Sequence, residues 1–303
     1  MTEQAAGLLM LLGVGFGVAW AGVALYSSWM LTHPVRRGYA AALARGRPGE
    51  PGELDAAPPW HAFSVESRGQ SLAAWEIVGE NPQGPTLVMT HGWSDGKVGG
   101  LVRAEPLLSA CRRIVLWDMP GQGDSPGRCD LGWSEPTDLG AVLNSLEDPS
   151  QIVLYGWSMG AGVSIAAAAD DDRVAGVIAE APYRSAFTPA KNVLRSRGLP
   201  WRLTLGPALS LLGLLRGRGP LWMLRGSWFD RAELAGRVAC PLLVLHGTRD
   251  VISPIEDGRD IAQAAPRGRL IEIEDATHNG MWTADATRDH ARRRTLEFLA
   301  DVD

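Results

Sequence analysis

The sequence predicts an α/β domain with a mostly parallel sheet covered by helices on both faces, preceded by an N-terminal transmembrane helix. Two observations lead to this prediction. After about residue 60, six short segments, most of them nearly continuously apolar, alternate with helical ones, which is typical of strands buried on both faces of a sheet. Residues 5–32 contain no charged side chain, and a stretch of this length is long enough to cross a membrane.

Composition excludes several other classes of protein. The 303 residues are 46% hydrophobic and 21% charged, which excludes a disordered chain. Three scattered cysteines are too few for a disulfide framework or a zinc cluster, and we expect no metal site. The formal net charge of −5 disfavours a general nucleic-acid binder, so no nucleic-acid partner is expected.

Residues 1–33 are predicted to form a transmembrane anchor. The main alternative is a cleaved signal peptide, because Ala19 and Ala21 resemble a cleavage site. A positive n-region is missing and the apolar run exceeds the usual length of an h-region, so the anchor is favoured. Gly13 and Gly17 are spaced like small residues of a helix–helix contact, which suggests a weak homodimer through this helix.

Residues 34–59 are predicted to be a basic juxtamembrane segment followed by a Pro/Gly linker. The basic residues that follow the apolar run are Arg36, Arg37, Arg45 and Arg47, and none precedes it. By the positive-inside rule, the N-terminus faces out and the bulk of the chain lies in the cytoplasm at the cell membrane. Seven of the fourteen residues from 46 to 59 are Pro or Gly, a composition typical of a linker.

Residues 60–303 are predicted to form the α/β domain. Its first two strands alternate apolar and polar residues and form a hairpin that turns near Arg68 and Gly69. The remaining strands alternate with helices, predicted over residues 137–146, 160–169, 254–265 and 284–299, and are predicted to be parallel. Ligands bind at the carboxyl ends of the strands in such sheets, so the residues that follow each strand decide the function.

One strand is followed by the sequence GWSMG, residues 156–160, and then by a helix of small residues. This G-x-S-x-G turn between a strand and a helix resembles the nucleophile elbow of the α/β-hydrolases, with Ser158 as the nucleophile. Side chains at the flanking glycine positions would collide with the neighbouring strand and helix. The strand–turn–helix context makes the short motif specific.

A serine hydroxyl needs a base and a group that orients the base, and the resemblance implies the chain order Ser, acid, His. His278 follows the last strand and is predicted to be the base, the alternative being a structural loop histidine. Asp250 follows the preceding strand, 28 residues earlier, and is predicted to be the acid. A turn aspartate is the alternative reading, and Glu180, at the end of another strand, is the second candidate for the acid.

The oxyanion of an acyl-transfer reaction needs two preorganised N–H donors. The resemblance assigns one to the backbone of Met159, directly after the nucleophile. It assigns the other to the backbone of Trp93, in the loop after the TLVMT strand, where Gly92 allows close approach of the substrate. His91 is predicted to be structural.

Further motifs extend the resemblance to residues 60–300. Residues 118–125, DMPGQGDS, resemble the family turn D-x-x-G-x-G-x-S, and residues 247–250, GTRD, resemble its acid site. The chain is similar to membrane-anchored esterases and acyl thioesterases of the α/β-hydrolase superfamily. This implies a serine hydrolase that needs no cofactor and cleaves esters or thioesters of amphiphilic acyl substrates. A catalytically idle membrane-tethered scaffold and a serine peptidase remain the alternatives.

Residues 183–236 are predicted to be a short helical lid. From residue 181 to 229 there are eight basic residues and no acidic one, so this span carries +8 and the remainder −13. A basic segment rich in Leu and Trp is typical of an element that lies on anionic lipid. The alternative is a lid that only roofs the active site. The predicted membrane-facing residues are Arg195, Arg197, Trp201, Arg216, Arg218 and Trp222.

Overall fold

The computed structural model describes residues 3–147, 151–220 and 230–302. An eight-stranded sheet forms the centre of the fold, with the strand order β1-β2-β4-β3-β5-β6-β7-β8. The strands are β1 (Trp60–Ser67), β2 (Gln70–Val78), β3 (Thr86–Thr90), β4 (Arg113–Trp117), β5 (Ile152–Trp157), β6 (Val174–Glu180), β7 (Leu242–Gly247) and β8 (Gly268–Ile273).

The pairing of the strands follows the prediction. β1 and β2 form an antiparallel hairpin, and the two turn residues, Arg68 and Gly69, both have positive φ, at 46° and 73°. Such angles at both central positions are those of the tight turns that match the twist of a hairpin. β2 is antiparallel to β4, and every other pair is parallel. The predicted α/β-hydrolase fold is confirmed.

Ten helices accompany the sheet in the described ranges. They are α1 (Glu3–Thr32), α2 (Tyr39–Leu43), α3 (Lys97–Ala104), α4 (Glu135–Asn144), α5 (Met159–Ala168), α6 (Phe187–Ser196), α7 (Trp201–Leu215), α8 (Arg231–Ala235), α9 (Ile255–Ala264) and α10 (Asp285–Asp301). The sequence pattern predicted α4, α5, α9 and α10 to within about two residues at each end. It did not predict α3, whose eight residues include two glycines.

The core lies on both faces of the sheet because neighbouring side chains of a strand point in opposite directions. In β5, Ile152 and Leu154 belong to one hydrophobic cluster, whereas Val153 and Tyr155 belong to the other. All four are fully buried. This explains why the central strands are nearly continuously apolar, and it leaves their carboxyl ends as the place where polar side chains meet.

α1 is the one helix of the described chain that is long and apolar enough to cross a membrane, and a signal sequence would meet the same criterion. Every residue from 6 to 20 is exposed, including Leu11, Phe16 and Val18. Twenty residues, from Gln4 to Val23, have a helical length of about 30 Å, which matches the hydrocarbon core of a bilayer.

The last part of α1 packs on the hydrolase domain. Ala24, Ser27 and Leu31 are buried. The indole nitrogen of Trp20 donates to the carbonyl of Leu203 on α7 at 2.9 Å. α1 and α7 therefore lie side by side, and the predicted anchor and lid are in direct contact.

Residues 34–59 are folded against the domain and are not an extended linker. They contain α2 and a 3₁₀ turn over residues 51–53. The carboxylate of Glu53 accepts hydrogen bonds from the hydroxyl of Tyr39 and from the amide of Gly49. Leu54 is buried in the core next to the sheet. Proline and glycine in this segment therefore form tight turns that hold it on the domain.

Candidate active site

Ser158 lies in the sharp turn between β5 and α5, with φ 54° and ψ −115°. The turn brings the chain so close to its neighbours that a β-carbon on Gly156 would lie 2.2 Å from the carbonyl oxygen of Gly160. A β-carbon on Gly160 would lie 2.0 Å from the carbonyl oxygen of Thr90 in β3. The two glycines are therefore required by close packing, and the strained backbone holds the Ser158 hydroxyl above the sheet.

Ser158, His278 and Asp250 lie together at the carboxyl ends of the strands. His278 Nε2 is 2.9 Å from Ser158 Oγ, and His278 Nδ1 is 2.6 Å from Asp250 Oδ2. The other oxygen of Asp250 accepts hydrogen bonds from the amides of Ile252 and Ser253, at 2.8 and 2.9 Å. The carboxylate is thus fixed with one oxygen left for the imidazole.

Glu180, the second candidate for the acid, lies elsewhere. Its buried carboxylate receives two hydrogen bonds from the Arg103 guanidinium, at 2.7 and 2.6 Å. The hydroxyl of Tyr155 and the indole N–H of Trp282 also donate to it, at 2.7 and 3.0 Å. With four donors, Glu180 is part of a buried polar network, and its contacts do not include His278.

Two other histidines, His246 and His91, have structural contacts. His246 is buried beside Asp250, with Nε2 donating to the carbonyl of Ser253 at 3.0 Å. Burial is the main factor that lowers its pKa, so His246 stays neutral and supports the loop that carries Asp250. His91 is fully buried; its Nδ1 donates to the carbonyl of Gly92 and its Nε2 accepts from the amide of Met119.

Trp93 and Met159, the two residues predicted to supply the oxyanion donors, line the same cavity as Ser158. α5 begins at Met159, so the amide of this residue has no acceptor within the helix. The loop that carries Trp93 is fixed by Gln122, whose side-chain oxygen accepts from the amide of Ser94 at 2.7 Å. Gln122 belongs to the DMPGQGDS motif, and this support was not evident from the sequence.

The cavity above Ser158 has a volume of about 300 Å³. Its mostly apolar lining residues are Leu31, Leu131, Tyr183, Ala186, Pro189, Ala190, Val193 and Ile252. Its polar lining residues include Arg37, Asp95 and Asn279, and these three also line a neighbouring cavity. The cavity therefore offers both apolar and polar contacts to a ligand.

The N-terminal segment forms one wall of this cavity, which sequence reasoning missed. The indole N–H of Trp93 donates to the carbonyl of Leu31 at 2.9 Å, and the hydroxyl of Ser94 donates to the carbonyl of Val35 at 3.0 Å. The amide of Cys129 donates to the carbonyl of Thr32. No sequence signal separates Leu31 from the preceding apolar residues, so only the folded chain reveals this contact.

The predicted lid residues differ in their surroundings. Arg195 and Arg197 are exposed near the mouth of the cavity, and Trp201 is half-buried under Lys191 and Arg202. Arg218 lies over the ring of Trp133. Trp222 lies outside the described residues. Arg216 does not face outward, because its guanidinium forms an ion pair with Asp130 and its side chain is 12% exposed.

A buried carboxyl group supports the floor of the cavity. Glu135, at the start of α4, accepts hydrogen bonds from the amides of Asp130 and Gly132, at 2.6 and 3.0 Å. These bonds fix the loop that carries Leu131. Burial, followed by the nearby Asp130 carboxylate, raises the pKa of Glu135 from 4.5 to about 7.

This raised pKa predicts a pH-dependent stability. Glu135 keeps its proton to a higher pH in the folded protein than in the unfolded chain. Its contribution to the free energy of unfolding is therefore largest below pH 4.5 and is lost as the pH rises to about 7. Relative to Glu135→Gln, the free energy of unfolding of the wild-type protein should fall by about 3 kcal/mol across this window. Urea unfolding of both proteins in neutral detergent measures the difference. A difference that is constant with pH would contradict the assignment.

Within residues 3–147, 151–220 and 230–302, no group of three or more His, Cys, Asp or Glu side chains is arranged to hold a metal ion. The three free cysteines, Cys111, Cys129 and Cys240, are buried or half-buried. Burial raises the pKa of Cys111 to about 12 and that of Cys240 to about 11, so these thiols are poor nucleophiles at neutral pH.

Comparison with known proteins establishes the class that this fold defines. The profile described as "Alpha/beta hydrolase family" matches residues 87–290. A pimeloyl-(acyl-carrier protein) methyl ester esterase from Chromobacterium violaceum is 31% identical over 229 residues, which cover 65% of this chain and 88% of that protein. The chain belongs to the α/β hydrolase family, and its relatives support a hydrolase of the esterase type.

Other relatives extend this comparison. The dihydrolipoyllysine-residue acetyltransferase component of an acetoin cleaving system from Pseudomonas putida is 29% identical over 264 residues, 78% of this chain and 68% of that protein. An esterase from Pyrococcus furiosus superposes with a TM-score of 0.67 at 20% identity, over 88% of this chain and 98% of that one. A membrane phospholipase A, described as a novel bacterial virulence factor, superposes with a TM-score of 0.58 at 18% identity, over 98% of this chain and 99% of that one. At these identities, the structural likenesses show the fold.

Proposed function

We propose that this protein is a membrane-anchored serine hydrolase that cleaves carboxylic esters or thioesters of amphiphilic acyl substrates through an acyl-enzyme. The observation that carries the proposal is the continuous hydrogen-bonded series from Ser158 through His278 to Asp250 at the base of a partly apolar cavity. The relative from Chromobacterium violaceum, named as a methyl ester esterase, supports ester cleavage.

In the first half of the reaction, Ser158 Oγ attacks the acyl carbonyl carbon while His278 Nε2 takes the hydroxyl proton. Asp250 Oδ2 accepts a hydrogen bond from Nδ1–H of His278. This bond keeps the proton on Nδ1, so that Nε2 can act as the base, and it stabilises the imidazolium that forms. The amides of Trp93 and Met159 donate to the oxyanion of the tetrahedral intermediate. When the intermediate collapses, His278 returns the proton to the departing alcohol or thiol.

In the second half, water takes the place of the departed group. His278 accepts a proton from this water as its oxygen attacks the acyl carbon of the ester on Ser158. Collapse of the second tetrahedral intermediate breaks the bond to Ser158 Oγ, which regains its proton from His278, and releases the carboxylic acid. Both halves use the same two amides, so no further group is needed.

The apolar lining of the cavity supports an acyl chain as part of the substrate. Ala190 is buried on α6, with Pro189 and Val193 beside it, and these side chains face the same space as Ser158. Each methylene group that leaves water for such a surface contributes about 0.8 kcal/mol. A longer chain should therefore be preferred until the cavity is filled.

Membrane attachment is supported by the way α1 and α7 lie together. Residues 4–23 of α1, most of them exposed, match the thickness of a bilayer, and Leu203, Leu214 and Leu215 on the adjacent α7 are more than half exposed. These leucines form an apolar surface beside the span, which favours contact of the lid with lipid. The basic residues after α1 favour the cytoplasmic side for the domain.

A chain-length series of p-nitrophenyl esters tests the proposal, with and without anionic vesicles. We expect kcat/KM to rise by up to about fourfold per added methylene. On anionic vesicles, the kcat/KM of a variant with Arg195→Gln and Arg202→Gln should fall by about 30-fold, because each arginine near an anionic surface contributes about 1 kcal/mol. Acetate ester hydrolysis in solution should be unaffected in this variant. Arg197 and Arg216 are left intact, since the first lines the cavity and the second is paired with Asp130.

The matched control carries Arg292→Gln and Arg293→Gln, the same change of charge on exposed residues of α10. Equal losses in both variants on vesicles would contradict a lid that contacts lipid. Rates independent of chain length would contradict the acyl-binding surface. Faster cleavage of a matched acyl anilide than of the ester would indicate a peptidase.

A further inference from the structure

A second cavity of about 210 Å³ lies beside the first, between the segment 37–48 and α3. The two cavities share four lining residues, Arg37, Asp95, Trp157 and Asn279. The two cavities therefore adjoin at these residues, so a ligand bound at Ser158 lies next to the second cavity. We call this second cavity the basic groove.

The charge of the groove comes mainly from arginines. Arg37, Arg45 and Arg47 line it, and the ion pairs found in the part of the chain that the structure describes do not include them. Arg103 also lines the groove, but Glu180 neutralises it. Asp95 is the one carboxylate among the lining residues, and it accepts a hydrogen bond from the indole N–H of Trp157 at 3.1 Å.

The backbone that carries these arginines is held in place. Glu53 joins the hydroxyl of Tyr39 to the amide of Gly49, and so closes the segment on both sides of Arg45 and Arg47. A β-carbon on Gly49 would lie 2.4 Å from the Tyr39 ring, which shows how closely the segment is folded. Only the side chains of Arg45 and Arg47 need to be ordered when they bind an anion. Guanidinium groups suit phosphate because they donate paired, charge-assisted hydrogen bonds.

We propose that the basic groove binds a phosphate group on the leaving-group side of the substrate, so that the preferred substrates are acyl esters or thioesters whose alcohol or thiol part carries a phosphate. The inference rests on the proposed function. The acyl chain lies against the apolar lining residues of α6, and the phosphate lies beyond Arg37, between Arg45 and Arg47. Hydrolysis then releases a carboxylic acid and a phosphorylated alcohol or thiol.

Two substrates with the same acyl chain test the proposal. The full chain, in micelles of a neutral detergent, is given 1-lauroylglycerol or 1-lauroylglycerol 3-phosphate at equal mole fraction, and released laurate is measured. We expect kcat/KM to be at least about tenfold higher for the phosphate, equivalent to about 1.4 kcal/mol. In a variant with Arg45→Gln and Arg47→Gln this ratio should fall to about one. Arg36→Gln, exposed on the same segment but outside both cavities, should keep the wild-type ratio.

A third measurement distinguishes the effect of a phosphate in the substrate from the effect of phosphate groups on the micelle surface. The neutral ester is measured in micelles that also contain dodecyl phosphate, which has no acyl bond to cleave. A rate that rises by the same factor would show attraction to an anionic surface and would overturn the proposal. If the wild-type protein hydrolyses the neutral ester and its kcat/KM for the two esters is about equal, phosphate binding in the basic groove is overturned but the proposed function is not. Failure to hydrolyse either ester would overturn the proposed function as well.

Discussion

Replacement of His278 by alanine should lower kcat/KM for a p-nitrophenyl ester by about 10⁴-fold or more. Without the imidazole, no group within hydrogen-bond distance of Ser158 Oγ can accept its proton in the part of the chain that the structure describes. The remaining activity would come from the two backbone amides and from substrate binding. Steady-state kinetics on the purified variant measure the loss.

The matched control for this variant is His290→Ala. His290 lies on α10, where its contact is with Arg294, and it does not line the cavity. His290→Ala should retain wild-type kcat/KM, and both variants should unfold at similar temperatures because the His278 side chain is on a loop. A loss below tenfold in folded His278→Ala protein would contradict the assignment of this residue as the base.

Replacement of Glu180 by alanine should lower the free energy of unfolding by about 3–5 kcal/mol. The change removes the acceptor of the Arg103 guanidinium, whose side chain is 8% exposed, and leaves a buried charge without its partner. Tyr155 and Trp282 also lose their shared acceptor. Urea unfolding monitored by tryptophan fluorescence measures the difference, and a double variant with Arg103→Leu should recover part of it.

Two results separate a structural Glu180 from a catalytic one. Activity per folded molecule should remain within a few-fold of wild type, because Asp250 and not Glu180 contacts His278. The control variant Asp260→Ala breaks an exposed ion pair with Arg184 and should lower the free energy of unfolding by less than about 1 kcal/mol. A Glu180→Ala protein of wild-type stability with a 10³-fold lower kcat would contradict the network described here.

Much of the fold and of the candidate site could be predicted from the sequence because the relevant signals are local. The buried strands are apolar runs of five or six residues, and the elbow requires glycine at two fixed positions around Ser158. The residues that follow β7 and β8 identified Asp250 and His278, which the structure brings within hydrogen-bond distance. In each case a few neighbouring residues determine both the conformation and the chemistry.

The contacts that could not be predicted join residues far apart in sequence. The ion pair of Arg216 with Asp130 links positions 86 residues apart, and the bond from Trp93 to Leu31 links positions 62 apart. Residues 34–59 have the composition of a linker, yet Leu54 is buried in the core and the amide of Asp55 donates to the carboxylate of Glu105. The number of prolines and glycines in a segment predicts turns, but it does not show whether these turns pack on the rest of the domain.

The proposed mechanism depends above all on Ser158 being the group that reacts with the substrate. Labelling of the full chain with a fluorophosphonate, followed by digestion and mass spectrometry, measures this directly. The mechanism predicts one phosphonate on the peptide that contains Ser158, and no labelling of the Ser158→Ala protein. It would be contradicted by labelling of a different residue, or by a Ser158→Ala protein that still reacts with the probe and still hydrolyses the ester.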